Sequence, residues 1–290
     1  MANRRILVKR RKSIRNIRKI TRTMQLIATA RFQAAFNRAV ASRPFTEKLA
    51  EMVAEVTRSS GDLEHPLLAS ANPSAPAALV VLTSSRGLCG GYNSHVLRLV
   101  TGQLEAWQSA GRAAELRVFG KKGIAYFRFQ KQAMAEESTA VGDNPRFEQV
   151  EPVVNGLIER FLAGEVSSVH VAYTRFFSVG RQRPELVQLL PLVPGGGGTA
   201  APERKVEYEF RPDPKALLDD LLPATVRIRL FQSFLDANVS EQIARMVAMK
   251  AATEASEEMI KTLTRKYNRA RQTHITMELL DIVGGANALA

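Results

Sequence analysis

Cysteine is nearly absent from this chain of 290 residues: Cys89 stands alone. A single thiol excludes an internal disulfide, and no Cys/His cluster has zinc spacing, so a reducing compartment fits. Nowhere do eighteen or more apolar residues follow one another, and the start lacks the apolar core of a secretory signal. A soluble chain that is free to dock at a membrane is therefore expected. The most telling deficit is of acid. The first 46 residues hold thirteen Lys or Arg and no Asp or Glu. The chain carries a formal charge of +13 from 41 basic and 28 acidic residues, so this one arm accounts for the whole excess. It is built to meet something acidic.

A nucleic-acid tail, an organelle transit peptide and a structural helix with a charged outer face all have such composition. Only the last needs a continuous seam. Ile17, Ile20, Met24 and Ile27 recur at alternating steps of three and four, Arg31, Ala34, Arg38 and Ala41 continue the register, and Ile14 and Ala28 widen it. That spacing predicts a coiled-coil helix with Met24 and Ile27 toward its partner. The helix resumes after Pro44 through Phe45, Leu49, Met52, Val53 and Val56 and ends before Gly61, with a kink or a new first turn expected at the proline.

The far end mirrors the beginning. Between Pro223 and Gly284 neither Gly nor Pro occurs, and a helix of that length would span on the order of 90 Å at about 1.5 Å per residue. Met246, Met249, Thr253, Ser256, Ile260, Leu263, Tyr267, Ala270, His274 and Met277 keep the three-four spacing, with small residues at Thr253 and Ser256 that let helices approach closely. The centre alternates instead. Ala78 to Thr83, Leu116 to Phe119 and Val169 to Phe177 read as strands, with helices over Asn93 to Ser109, Lys122 to Gln130 and Val150 to Leu162. Pro184 to Val193 is an expected antiparallel neighbour, and Val206 to Phe210 an expected last strand. The fold class is α/β: an open Rossmann-like domain over residues 76–212, framed by shaft helices over 1–60 and 213–290 that pair as one long antiparallel coiled coil.

Chemistry is scarce. The turn SSRGLCGGYN, with Arg86, Gly87, Cys89, Gly90 and Gly91, follows the first strand as a phosphate cradle would. It lacks the GK[ST] of a P-loop and the GxGxxG of a dinucleotide fold, so a structural strand-to-helix turn is preferred. Cys89 lies near His95 in sequence without a third orienting group, and His65, His170 and His274 have no metal-ligand neighbours. Glu254, Glu257 and Glu258 read as a solvated helix face. No catalytic, cofactor or metal site is expected.

The segments RRKSIRNIRKITRTMQLIATARF, SSRGLCGGYN, RPDPKALLDDLLP, SEQIARMVAMKAATEASEEMI and YNRARQTHITMELLDIVGGANAL together resemble the gamma subunits of F-type ATP synthases. The first is similar to the family's SIKNTxKITKAMxMVAASK pattern at Ser13, Ile14, Asn16, Lys19, Ile20, Thr21, Met24 and Ala28. The match runs the full chain in order, though Gly102 to Arg204 carries little beyond layout. Two departures stand out: Gln25 replaces the family's usual Glu after Met24, and Phe32 and Gln33 replace a Met-Arg pair. The paired cysteines of chloroplast members have no counterpart.

The resemblance implies a rotor shaft whose helices turn inside a hexamer of alternating alpha and beta subunits, with the α/β foot on the membrane c-ring beside the epsilon subunit. It implies one copy per complex, ATP, ADP and Mg held by the neighbours, and no catalysis or cofactor in this chain. Met24, Arg245, Arg271, Gln272, Thr276 and Glu278 match positions of contact or coupling with the catalytic subunits. Ile282, Val283, Ala286 and Leu289 match the tip in an apolar bearing, and Tyr208, Phe210 and Arg211 the contact with ring and epsilon. An initiator Met just before the helix favours a bacterial chain without a presequence over a processed organelle chain, and the resemblance then implies a peripheral protein on the cytoplasmic face of a bacterial inner membrane. The rival from another class is a basic coiled-coil nucleic-acid-binding protein, which calls for interleaved aromatics or a reader motif. Phe32 and Phe36 are the arm's only aromatics before Phe45.

Overall fold

A computed structural model describes residues 4–59, 65–69, 72–193 and 214–289. Two long helices, α1 (Arg4–Ser59) and α5 (Pro214–Leu289), enclose in sequence a sheet domain with β1 (Ala77–Leu82), α2 (Tyr92–Ser109), β2 (Ala114–Phe119), α3 (Lys121–Phe129), β3 (Glu136–Ser138), α4 (Phe147–Leu162), β4 (Ser168–Ser178) and β5 (Arg181–Leu190). The expected strand over Val206 to Phe210 lies outside the described residues. The chain divides into two compact units, Met1–Thr29 with Arg245–Ala290, and Ala30–Ala244. Both long helices contribute to both units, so the portion of each helix nearer the sheet belongs with it.

In the smaller unit α1 and α5 run antiparallel. Arg11 stacks its guanidinium 5.0 Å from the Tyr267 ring, Arg18 pairs with Glu257 at 3.4 Å, and the buried Thr253 and Thr21 hydroxyls share a hydrogen bond at 2.8 Å. On α5 the expected seam holds from Met246 to Ala270, with Met249, Thr253 and Ser256 buried. It then stops: His274 and Met277, expected in the seam, are exposed. On α1 the expected stripe is turned outward, with Ile17 45% exposed, Ile20 58% and Ile27 50%, whereas Ala28 is 1% exposed. The true seam is Leu7, Ile14, Thr21 and Ala28, a strict seven-residue repeat offset from the larger isoleucines, with Met24 half-buried at its flank. Ala28 and Thr21 need less room than isoleucine. Small side chains give closer approach and more dispersion contact per turn, which selects the leaner face.

In the larger unit the same repeat runs on through the buried Ala35, Leu49 and Val56 and the half-buried Ser42. Ser42 donates to Gln232 Oε1, which ties α1 to α5 there. Neither Pro44 nor Pro223 ends its helix. Pro44 sits on the exposed side, where a freed carbonyl meets water. Buried neighbours on both sides, Ala39 and Leu49 in α1 and Leu218, Leu222, Val226 and Leu230 in α5, outweigh the lost backbone bond of each proline.

The sheet has the order β3-β2-β1-β4-β5, with β1 parallel to both β2 and β4, β2 parallel to β3, and β5 antiparallel at the edge. Every residue of β1 is buried because both faces are covered. Ala77, Leu79 and Val81 face α2 and α3 through Val96, Val100, Ile124 and Phe127. Ala78, Val80 and Leu82 face α4 and the long helices through Val154, Leu157, Phe161, Leu222, Leu230 and Val56. The short edge strand β3 was not legible in the sequence, because three residues of Glu-Glu-Ser carry no β pattern.

Candidate coupling surfaces

In an open parallel sheet, ligands bind beyond the strand carboxyl ends at the point where strand order reverses, here between β1 and β4. Where α5 passes the carboxyl ends of β1 and β2, a small cavity is left. Phe234, Ala237, Asn238 and Glu241 of α5 line it opposite Leu82, Thr83, Tyr92 and Phe119. The Tyr92 hydroxyl donates to the Ala237 carbonyl at 3.1 Å in a buried bond.

The turn after β1 is locked by its own side chains. Asn93 Oδ1 accepts the Ser84 N–H at 2.9 Å, Asn93 Nδ2 donates to Cys89 Sγ at 3.3 Å, and Ser84 Oγ donates to the Arg86 carbonyl at 2.6 Å. Cys89 is buried, so its thiol serves packing and this network. Gly90 has φ 57°, where a glycine costs least, and Leu88 beside it takes φ 65° with its side chain exposed. A Cβ on Gly91 would meet the His95 ring at 2.9 Å. Gly87 stands against the end of the Lys122 side chain.

Sequence reading missed the hub of this region, Asp143. Its carboxylate pairs with Arg31 of α1 and, at 3.4 Å, with Arg86 of the turn, while its carbonyl accepts Asn238 Nδ2 at 2.8 Å. Arg38 donates to the adjacent Asn144. One loop thereby ties the turn, α1 and α5 of this unit together. The only sequence signal is a Gly-Asp-Asn-Pro turn at 142–145, which marks a loop without naming its partners.

Inside the same unit burial sets the electrostatics. Burial, reinforced by the Arg112 guanidinium, pulls His170 down to about 4, and its ring stands edge-on to Trp107 at 5.1 Å. Burial also pushes Asp236 above the usual carboxylate range, although Gln232 donates to it at 2.9 Å and Arg43 lies 4.0 Å away. Tyr173 is pushed up to about 12 by burial and the nearby Asp236. Arg160 bonds both oxygens of Glu115, at 2.7 and 3.0 Å, and holds that carboxyl below its ordinary value. Among the described residues no group of three or more His, Cys, Asp or Glu side chains is placed to hold a metal ion. No helix among them is long and apolar enough to cross a membrane.

The remaining singled-out residues divide by position. Met24 is half-buried in the seam, and Arg245 is buried. Residues 271–287 are exposed throughout, including Arg271, Gln272, Thr276, Glu278, Ile282, Val283 and Ala286. Thr276 returns its hydroxyl to the Gln272 carbonyl at 3.0 Å, and Glu278 pairs with His274 at 3.0 Å. The backbone of Leu289 is helical, but its side chain lies outside those described, as do Tyr208, Phe210 and Arg211 altogether.

A Rossmann-like sheet whose β1 and β2 ends are lined by a helix of the same chain, with helices of 56 and 76 residues before and after it in sequence, defines an α/β protein framed by long helices. Comparison with known proteins narrows the class. A family model described as ATP synthase matches residues 3–289. The ATP synthase gamma chain of Rhodopirellula baltica is 40% identical over 294 residues, covering 100% of this chain and 99% of the relative. That of Leptospira biflexa is 39% identical with complete coverage of both. The chain belongs to the ATP synthase gamma chain family. Its fold resembles the rotor in the cryo-EM structure of Euglena gracilis mitochondrial ATP synthase, with a TM-score of 0.60 at 14% identity over 94% of this chain and 98% of that one.

Proposed function

We propose that the chain is the rotating central stalk of its ATP synthase, transmitting torque between a membrane c-ring and catalytic alpha and beta subunits while performing no chemistry itself. ATP, ADP and Mg belong to the neighbours in this reading. One copy serves each complex, with epsilon beside its α/β domain. The chain itself is a peripheral protein on the cytoplasmic face of a bacterial inner membrane.

The carrying observation is the division of faces in the smaller unit. Small residues are spent inside the seam, at Thr21, Ala28, Thr253 and Ser256, while Ile17, Ile20 and Ile27 and most of the arm's cations face outward. A helix pair that needed only its own stability would bury its isoleucines. Leaving them outside, among exposed cations, suits a sleeve that is apolar in places and acidic in others. Exposed ion pairs contribute about 0–1 kcal/mol each, so such contacts form and break as a shaft turns.

Affinity purification of the chain from its own cells, with stoichiometry by mass spectrometry, tests the reading. Recovery of alpha, beta and epsilon subunits in fixed ratio with one copy of this chain is expected. Recovery alone or on nucleic acid would overturn it.

A further inference from the structure

We propose that the tip of the β4–β5 hairpin is a docking surface for a carboxylate-rich loop of a neighbouring protein subunit, with Arg175, Arg181 and Arg183 as its donors. Strand register sets Arg175 directly opposite Arg183, an arrangement of like charges that destabilises an antiparallel pair. A register shift between Phe176 and Ser178 leaves Phe177 without a partner in the ladder. Its ring lies 5.2 Å from the Arg175 guanidinium and 5.1 Å from that of Arg181. Two cations thus gather around one exposed aromatic, and a third, Arg183, stands opposite Arg175 in the ladder. Glu185 answers Arg175 at 3.3 Å, and among the described residues no carboxylate pairs with Arg181 or Arg183. Val179 at the turn is exposed as well.

The hairpin does not need these arginines to hold its shape. Phe176, on the opposite face, is buried edge-on to Phe36 of α1 at 5.8 Å, and Arg43 donates to the Phe176 carbonyl at 3.1 Å. Gln182 Nε2 closes the turn by donating to the Ser178 and Val179 carbonyls, each at 2.7 Å. A stiff hairpin carrying opposed cations is pre-organised for an anion, since ordering costs are already met. Planar guanidinium forks favour carboxylates held in fixed geometry. Recruitment to anionic lipid typically takes about 4–8 clustered Lys or Arg, more than this tip offers, which favours a protein partner. The inference rests on the chain working inside an assembly, as proposed above.

The test uses the purified, membrane-embedded complex carrying a photoreactive benzophenone amino acid in place of Val179, with subunit content checked first. Loss of the other subunits at that stage would count against the stalk reading and not against this one. On irradiation, a crosslink to an Asp/Glu-bearing peptide of another subunit is expected. Its yield should fall about fivefold or more when salt is raised from about 0.05 to about 0.5 M, where screening shortens to a few Å, and equally with Arg181→Ala/Arg183→Ala. Crosslinks confined to lipid or to this chain, a partner peptide without acid, no crosslink, or a yield indifferent to salt and to the arginines would each overturn the proposal.

Discussion

Thr253 Oγ1 lies 2.8 Å from Thr21 Oγ1 and 2.8 Å from the Met249 carbonyl, and Thr21 Oγ1 lies 3.1 Å from the Arg18 carbonyl. Each hydroxyl has one proton, so the two share three acceptors across a buried seam. Either Thr253 donates to Thr21 while Thr21 satisfies its own helix, or the chain of donation runs the other way. A polar pair at this depth favours one register, because a slip forfeits the interhelical bond and leaves each hydroxyl only the carbonyl of its own helix.

Replacing Thr21 alone by Val should lower the stability of the purified chain by about 1 kcal/mol, since the interhelical bond is lost. The double replacement Thr21→Val/Thr253→Val should recover most of that loss, because both polar partners leave together. Urea titration followed by circular dichroism measures the cycle. Equal, additive losses would show that the two hydroxyls do not communicate.

Ala28→Leu and Ile20→Ala separate the true seam from the apparent one. Ala28 is 1% exposed, and overpacking a buried site costs typically about 1–3 kcal/mol. Ile20 faces outward, and its truncation should shift stability by less than about 0.5 kcal/mol. In the assembled enzyme the order is expected to invert for Ile20, whose loss should reduce turnover. Thermal melts of the chain and hydrolysis rates of the complex supply the two readouts.

His170 makes stability depend on pH. Its folded value of about 4 lies below the ordinary 6.5, so between these values the unfolded chain binds the extra proton. Stability therefore rises with pH across that window: the contribution is fully present above about 6.5 and is lost as pH falls toward 4. The shift corresponds to about 3 kcal/mol at about 1.4 kcal/mol per pKa unit. His170→Gln should flatten the stability profile between pH 4 and 6.5, measured by urea unfolding at a series of pH values. A slope unchanged by the substitution would place the titration elsewhere.

Arg271 and Gln272 stand exposed on α5 with Ile275 and Leu279, also exposed, on the turns that follow. Arg271→Ala/Gln272→Ala should leave the chain's melting curve within the range of surface truncations, about 0.5 kcal/mol. If the chain is the stalk proposed above, hydrolysis and ion pumping by reconstituted complexes of equal subunit content should both drop, because a fork of donors toward a catalytic subunit is removed. Wild-type rates in both assays would reduce these two residues to solvated surface.

Much of the architecture was legible in the order of residues. Two Gly-poor stretches with three-four spacing become α1 and α5, and β-branched runs such as ALVVLT become buried parallel strands, since hydrophobic period reports local geometry directly. The place of the turn at Arg86 to Gly91, between a strand and a helix, was legible too. What the residue order misjudged was which face of α1 turns inward. Periodicity ranks faces by hydrophobicity, and Ile17, Ile20 and Ile27 outrank Thr21 and Ala28 on that scale. Only tertiary structure decided for the smaller residues, because close approach of two helices depends on the facing side chains of both. Tertiary structure alone likewise gathered Arg31, Arg86 and Asn238 on Asp143, and set Arg175 opposite Arg183. Those meetings depend on strand register and long-range packing, which join residues that no local pattern connects.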